Sequence, residues 1–157
     1  MPPPTVVAQS RTIPVSVEYA YDKTLPMPMP TLFRHWYGPL PPIKQIRDEP
    51  PSWDTVGQTR TIVLAGTGTL REQLTRVDPP HGYDYRITGI TGPLAPLVGV
   101  IEGAWRFEPA GAVTKVTWQW TITPRTRAAQ LAMPPFTFVW RGYARSALAE
   151  LEKLLVA

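Results

Sequence analysis

Three side chains of this sequence could together move a proton inside a dry interior: the Glu72 carboxyl and the Tyr83 and Tyr85 phenols. Such chemistry needs a donor or acceptor held away from water. Strand alternation over residues 69–77 places Glu72 on one face with Leu70 and Leu74, and alternation over 83–90 places Tyr83, Tyr85 and Ile87 on the same face. A carboxylate on an apolar face must find a donor or keep its proton. The tyrosine hydroxyls, or Arg60 or Arg76 at a strand end, are candidate partners. Glu72, Tyr83 and Tyr85 are therefore the candidate catalytic residues.

Other chemistries find little support. His35 and His81 are far apart with no carboxylate at ligand spacing, so neither a metal nor a cofactor is expected. His81 reads as a solvated turn residue, and His35 as a packed or surface residue that reaches a cavity mouth at most. The chain has no cysteine and no serine in a Gly-x-Ser-x-Gly setting, which removes the usual nucleophiles. VLAGTGTLREQL begins like a dinucleotide loop, but Arg71 holds the third glycine position and Pro79 would stop the helix. A Gly-Thr-Gly hairpin turn fits better.

Composition limits the partners. Net charge is +4, and the 16 Lys and Arg are spread along the chain rather than blocked. Aromatics and arginines interleave in FRHWYG and VWRGYAR, yet both runs fall on predicted helices whose rings should face the core, so no nucleic-acid partner is expected. The first residues lack a charged start followed by an apolar core, and no apolar run approaches the roughly 20 residues of a membrane span. The expectation is a cytoplasmic protein without stable membrane insertion, a monomer or homodimer.

The elements that must position these residues read as follows. Residues 1–10, with three prolines, form a flexible tail, and 13–21 alternate as a strand. Thr31 is a reasonable N-cap for a short helix through 37, and 43–46 is a weak strand. From Gly57 onward, strands at 59–65, 69–77, 83–90, 98–107 and 113–123 follow one another between turns, as in a meander. The last two put Gly103, Trp105 and Phe107 on one inner face and Trp118 and Trp120 on the other. The hairpin between them sets Gly103 across from Trp118 or Trp120, which makes either a nested indole or a lined hollow. Finally, Phe136, Val139, Trp140, Tyr143, Ala147, Leu151, Leu154 and Leu155 form one helical stripe over 136–156. Inward-facing rings exceed what simple packing needs, which points to a cavity. The candidate ligand contacts are Tyr19, Trp36, Glu72, Tyr83, Tyr85, Trp105, Trp118, Trp120, Trp140 and Tyr143.

Three stretches, GQTRTIVLAGTGTLREQLTRVDPP, WRFEPAGAVTKVTWQWTI and the closing helix, resemble the START-like or Bet v 1-like (SRPBCC) superfamily, in its polyketide cyclase/dehydrase branch. The proline-dense region 26–42 departs from the usual pair of small helices. The resemblance implies an α+β helix-grip fold: one domain over 11–157, with a curved seven-stranded antiparallel sheet wrapped around the long C-terminal helix and short helical segments after the first strand. It implies a hydrophobic pocket between sheet and helix, and hence a lipid, polyketide or isoprenoid-like small molecule as partner. The alternatives are a polyketide aromatase/cyclase-type enzyme acting in that pocket and an interaction protein whose pocket is filled by core side chains.

Overall fold

Seven strands form one antiparallel sheet in the computed structural model, which describes residues 2–157. They are β1 (Thr5–Ile13), β2 (Ile43–Arg47), β3 (Thr59–Leu64), β4 (Thr69–Asp78), β5 (Gly82–Thr88), β6 (Val98–Ala110) and β7 (Val113–Pro124). Their spatial order is β1-β7-β6-β5-β4-β3-β2, so only the β1–β7 contact joins strands distant in sequence. The sheet curls into a half-barrel around the long helix α4 (Met133–Val156). Three shorter helices complete the chain: α1 (Val17–Thr24), α2 (Met29–Leu32) and α3 (Arg127–Leu131).

Alternation decides what the concave face carries. On β7, Val116, Trp118, Trp120 and Ile122 are buried, and Ile101, Gly103, Trp105 and Phe107 are buried on β6. The register sets Trp105 opposite Trp118 and Gly103 opposite Trp120. On the next strand Tyr83 faces Trp105 and Tyr85 faces Gly103. Against this face α4 packs Phe136, Trp140, Ala144, Ala147, Leu148, Leu151 and Leu155, at the three- and four-residue spacing that makes a helical stripe. Each of the leucines and Phe136 contributes roughly 1.5–3 kcal/mol on leaving water. Of the residues expected on that stripe, Val139 and Tyr143 are half-buried and Leu154 is exposed.

Two expectations fail near the N-terminus. Residues 5–10, expected as a flexible tail, are the first part of β1, which pairs with β7 from Thr5–Ile122 to Ile13–Thr114. Residues 13–21, expected as a strand, end β1 and then become α1. The alternation of Val15, Val17, Tyr19 and Tyr21 is misleading because the helical spacing of Ala20, Tyr21 and Thr24 is what the core buries. Ser16 decides the matter locally: its hydroxyl accepts from the Tyr19 backbone N–H at 3.2 Å, Glu18 sits in the first turn and Lys23 in the last. The expected helix over 31–37 lies earlier, at α2, because Pro28 precedes it and Phe33 leaves helical geometry.

The cap supplies a direct check. Replacing Ser16 by Ala should lower unfolding free energy by about 1 kcal/mol in denaturant titrations. A neutral result would mean that these residues are not a capped helix.

Candidate functional site

The curl of the sheet leaves a small chamber between its β2–β5 half, the indoles of β7, and α4. Ile62, Leu64, Leu70 and Ile87 form its floor, Trp118, Trp120, Trp140 and Tyr143 one wall, and Met29, Phe33, Leu40, Pro41 and Leu94 the opposite rim. Its volume is about 60 Å³. At ~10–15 Å³ of such space per water, that is room for a few waters. Two residues bring ionisable side chains other than Tyr143 to this lining, Glu72 and Tyr85.

Tyr85 sits where three strands converge. Its oxygen accepts hydrogen bonds from Trp118 Nε1 at 2.7 Å and Trp120 Nε1 at 2.9 Å. The two indoles reach one oxygen because side chains two apart on a strand share a face, and here they stand edge to face at 5.6 Å. Gly103 makes the arrangement possible: a β-carbon there would overlap the Tyr85 ring, so the phenol lies across β6. The space opposite Trp120 is therefore filled by a neighbouring strand's ring, not left hollow. Burial pushes the Tyr85 phenol above its ordinary value, with the Glu72 charge adding to it and the indole N–H bonds opposing. It remains an O–H at neutral pH. Among the described residues no acceptor receives that proton.

Glu72 is 2% exposed. Its Oε1 accepts from Arg60 Nε at 2.7 Å, and Arg60 Nη1 bonds Glu49 Oε2 at 2.7 Å. The guanidinium lies 4.0 Å from the Trp53 ring centre, a cation–π contact that shields the pair from solvent. Register explains the pairing, since Arg60 and Glu72 are directly opposed on β3 and β4. Of the two arginines considered from the sequence, Arg60 is the partner; Arg76 pairs with Asp78. Burial raises the Glu72 carboxyl above the usual carboxylate range, with Arg60 opposing. Glu72 thus meets the cavity as a carboxyl that holds its proton more tightly than a free one.

The rim is a proline-rich segment laid along α4. Phe33 stacks on Tyr143 at 6.0 Å and lies 5.0 Å from Trp118. Tyr143 Oη donates to the Pro41 carbonyl at 2.9 Å, and the Tyr37 ring fills the notch left by Gly142, where any β-carbon would collide with it. Arg34 reaches Glu150 Oε1 at 3.3 Å, with His35 Nε2 3.7 Å from Oε2. The Phe33 and Pro42 carbonyls also accept from the backbone N–H groups of Ile43 at 2.8 Å and Ala65 at 3.0 Å.

The structure divides the sequence-derived candidates. Glu72, Tyr85, Trp118, Trp120, Trp140 and Tyr143 line the chamber. Trp105 and Tyr83 lie behind it: Trp105 stacks on Trp118 at 5.5 Å and on Tyr83 at 6.4 Å, and Tyr83 also packs on Phe107, so both support the wall without lining it. Tyr19 is exposed on α1, because the segment is a helix and not the expected strand. Trp36 is exposed on the strap and meets Gly66, because the helix expected to turn it inward is absent. Phe33, Leu40, Pro41 and Leu94 were not foreseen. They sit in irregular segments where no periodicity marks a face. Among the described residues no group of three or more His, Asp or Glu could hold a metal.

The family model described as polyketide cyclase / dehydrase and lipid transport matches residues 4–156. No curated protein matches the sequence. Among solved structures, a major latex-like protein of Panax ginseng superposes with a TM-score of 0.73 at 11% identity, covering 98% of this chain and 99% of that one. A protein of Thermus thermophilus gives 0.68 at 18% identity, covering 97% of each chain. A protein from the dynemicin biosynthetic locus gives 0.64 at 14%, covering 97% of this chain and 47% of that one. These likenesses support the helix-grip fold.

The crowding at Gly103 can be measured. Gly103→Ala should destabilise the fold by about 1–3 kcal/mol, the usual penalty for overpacking, and near-ultraviolet circular dichroism should change as Tyr85 leaves the two indoles. An unaltered spectrum and melting point would contradict the nested arrangement.

Proposed function

The chain belongs to the polyketide cyclase/dehydrase and lipid transport family, and from that premise we propose that it binds an apolar, ring-bearing small molecule in the chamber between sheet and α4. The observation that carries this reading is the Tyr85 hydroxyl. Its oxygen is held by two indole N–H groups, its proton is uncommitted among the described residues, and it lines a cavity whose other residues, Glu72 and Tyr143 apart, are apolar. A phenol that accepts two hydrogen bonds is polarised and donates a stronger third. The preferred ligand is then a ring system with one acceptor oxygen, held by Tyr85 and packed between Trp118, Trp120 and Trp140. Trp140 adds a donor, since its Nε1–H is buried without an acceptor.

Size sets a condition on entry. Sites for drug-sized molecules run to roughly 300–1,000 Å³, far above the present chamber of about 60 Å³. The ligand must displace the strap around Phe33, Leu40 and Pro41, whose hold on α4 is a stacked ring, one carbonyl bond, a notch and the contacts of Arg34 and His35 with Glu150. Of the partners considered from the sequence, a hydrophobic small molecule fits these features best. The interaction-protein alternative takes the small volume as its support.

A second reading has one observation in its favour: Glu72 lines the same cavity as Tyr85. A carboxylate could take a proton from carbon beside a carbonyl while the Tyr85 O–H stabilises the enolate oxygen, and the proton could return to another carbon. Tyr83, placed behind Trp105, has no part in it.

Two measurements test these readings. Tryptophan emission should be quenched saturably by fluorenone more tightly than by fluorene, and Tyr85→Phe should remove that preference, a change of roughly 2–10-fold for one hydrogen bond. Absence of saturable quenching by these and by a panel of fatty acids and aromatic polyketides would sink the binding reading. For catalysis, α-proton exchange of 2-tetralone in D2O should be accelerated by the protein and lost in Glu72→Gln with binding intact. Equal exchange in both proteins would dismiss a role for Glu72.

A further inference from the structure

Outside the cavity, charge is distributed unevenly. Between Glu108 and Glu150 the sequence has no acidic residue, and its charged side chains are Lys115, Arg125, Arg127, Arg141 and Arg145. Seven arginines elsewhere make ion pairs; of the five that make none among the described residues, Arg47 is one and the other four are Arg125, Arg127, Arg141 and Arg145. Arg125 is tied to the Ala95 and Val98 carbonyls, which leaves Arg127, Arg141 and Arg145 as unpaired, exposed guanidinium groups.

Exposed apolar side chains lie on the same two helices. Phe138 is 74% exposed and Leu131 83% exposed. On α4, Pro134, Phe138, Arg141 and Arg145 follow helical spacing and share the solvent face, opposite Trp140 and Ala147. A ring and a leucine kept in water on the helices that carry the unpaired arginines set two requirements, apolar depth and negative charge.

We propose that the solvent face of α3 and the first half of α4 docks peripherally on an anionic lipid surface. Leu131 and Phe138 enter the headgroup region while Arg127, Arg141 and Arg145 meet its negative charge. A lipid surface meets both requirements at once, with an apolar layer for Leu131 and Phe138 and negative headgroups for the arginines. Trp140 and Tyr143 lie on the same turns of α4 and face the cavity, so the helix that docks is also the one that closes the chamber. The inference goes beyond small-molecule binding and needs no ligand for its test.

Co-sedimentation with vesicles of phosphatidylcholine, alone or mixed with phosphatidylserine, reads it directly. Binding should favour the mixed vesicles and fall with salt. Arg127→Glu or Arg141→Glu should each weaken it by well over roughly fivefold, the effect of losing one interfacial charge, because each reversal also adds a repulsion. Phe138→Ser should weaken it as well, with the melting point unchanged because the ring is exposed. Equal partition to neutral and anionic vesicles, or none to either, would overturn the proposal. So would charge reversals that matter while Phe138→Ser does not, which would reduce the contact to charge attraction with no apolar entry. A concentration-dependent dimer lost in Phe138→Ser would assign it to a second copy of this chain and equally overturn it.

Discussion

Trp140 sets the spacing between the sheet and the last helix. Its indole is fully buried, 4.9 Å from Trp118 and 5.5 Å from Trp120, so one side chain of α4 is wedged against two of β7. Rings at these separations gain roughly 0.5–1.5 kcal/mol per pair beyond the area they bury, and they are too rigid to collapse onto smaller neighbours. The wedge keeps α4 away from the strands beside it. The chamber occupies the space left over, with Trp140 and Tyr143 as its helical wall.

The polar groups around that chamber are few and closely managed. Tyr85 satisfies two indole N–H groups at once, and Arg60 is held between Glu72, Glu49 and the face of Trp53. Removing one partner of a buried ion pair strands a charge, at a cost of about 3–5 kcal/mol. The register of β3 and β4 is therefore protected by the pair as well as by its ladder. The same interactions leave Glu72 and Tyr85 as polar surface inside an apolar wall, which is the chemistry the proposed function draws on. Support and site are one construction here.

Much of this was legible from alternation and punctuation. The five strands from β3 to β7 lie within a few residues of their expected bounds because each has one buried and one wet face and is bracketed by Gly or Pro turns. The inward face of Glu72 followed from the same parity, as did the opposition of Gly103 to an indole. The first 24 residues misled. Val15, Val17, Tyr19 and Tyr21 alternate like a strand, whereas Ser16 caps a helix; a short segment can carry both periods, and burial on the assembled sheet chooses between them. Strand β1, dense in polar residues, forms because β7 offers it an unpaired edge.

By itself the sequence determined the antiparallel order of the later strands, the long amphipathic helix and the inward-facing rings, since these follow from side-chain period and turn residues along a continuous stretch. Only the tertiary structure decided that Tyr85 and not an empty hollow lies over Gly103, that Tyr83 and Trp105 stand behind the wall, and that the strap from Phe33 to Pro41 lies along a chamber of about 60 Å³. The reason is geometric. Period assigns a side chain to a face, but which ring occupies a given space depends on the curl of the sheet and on segments that carry no period at all.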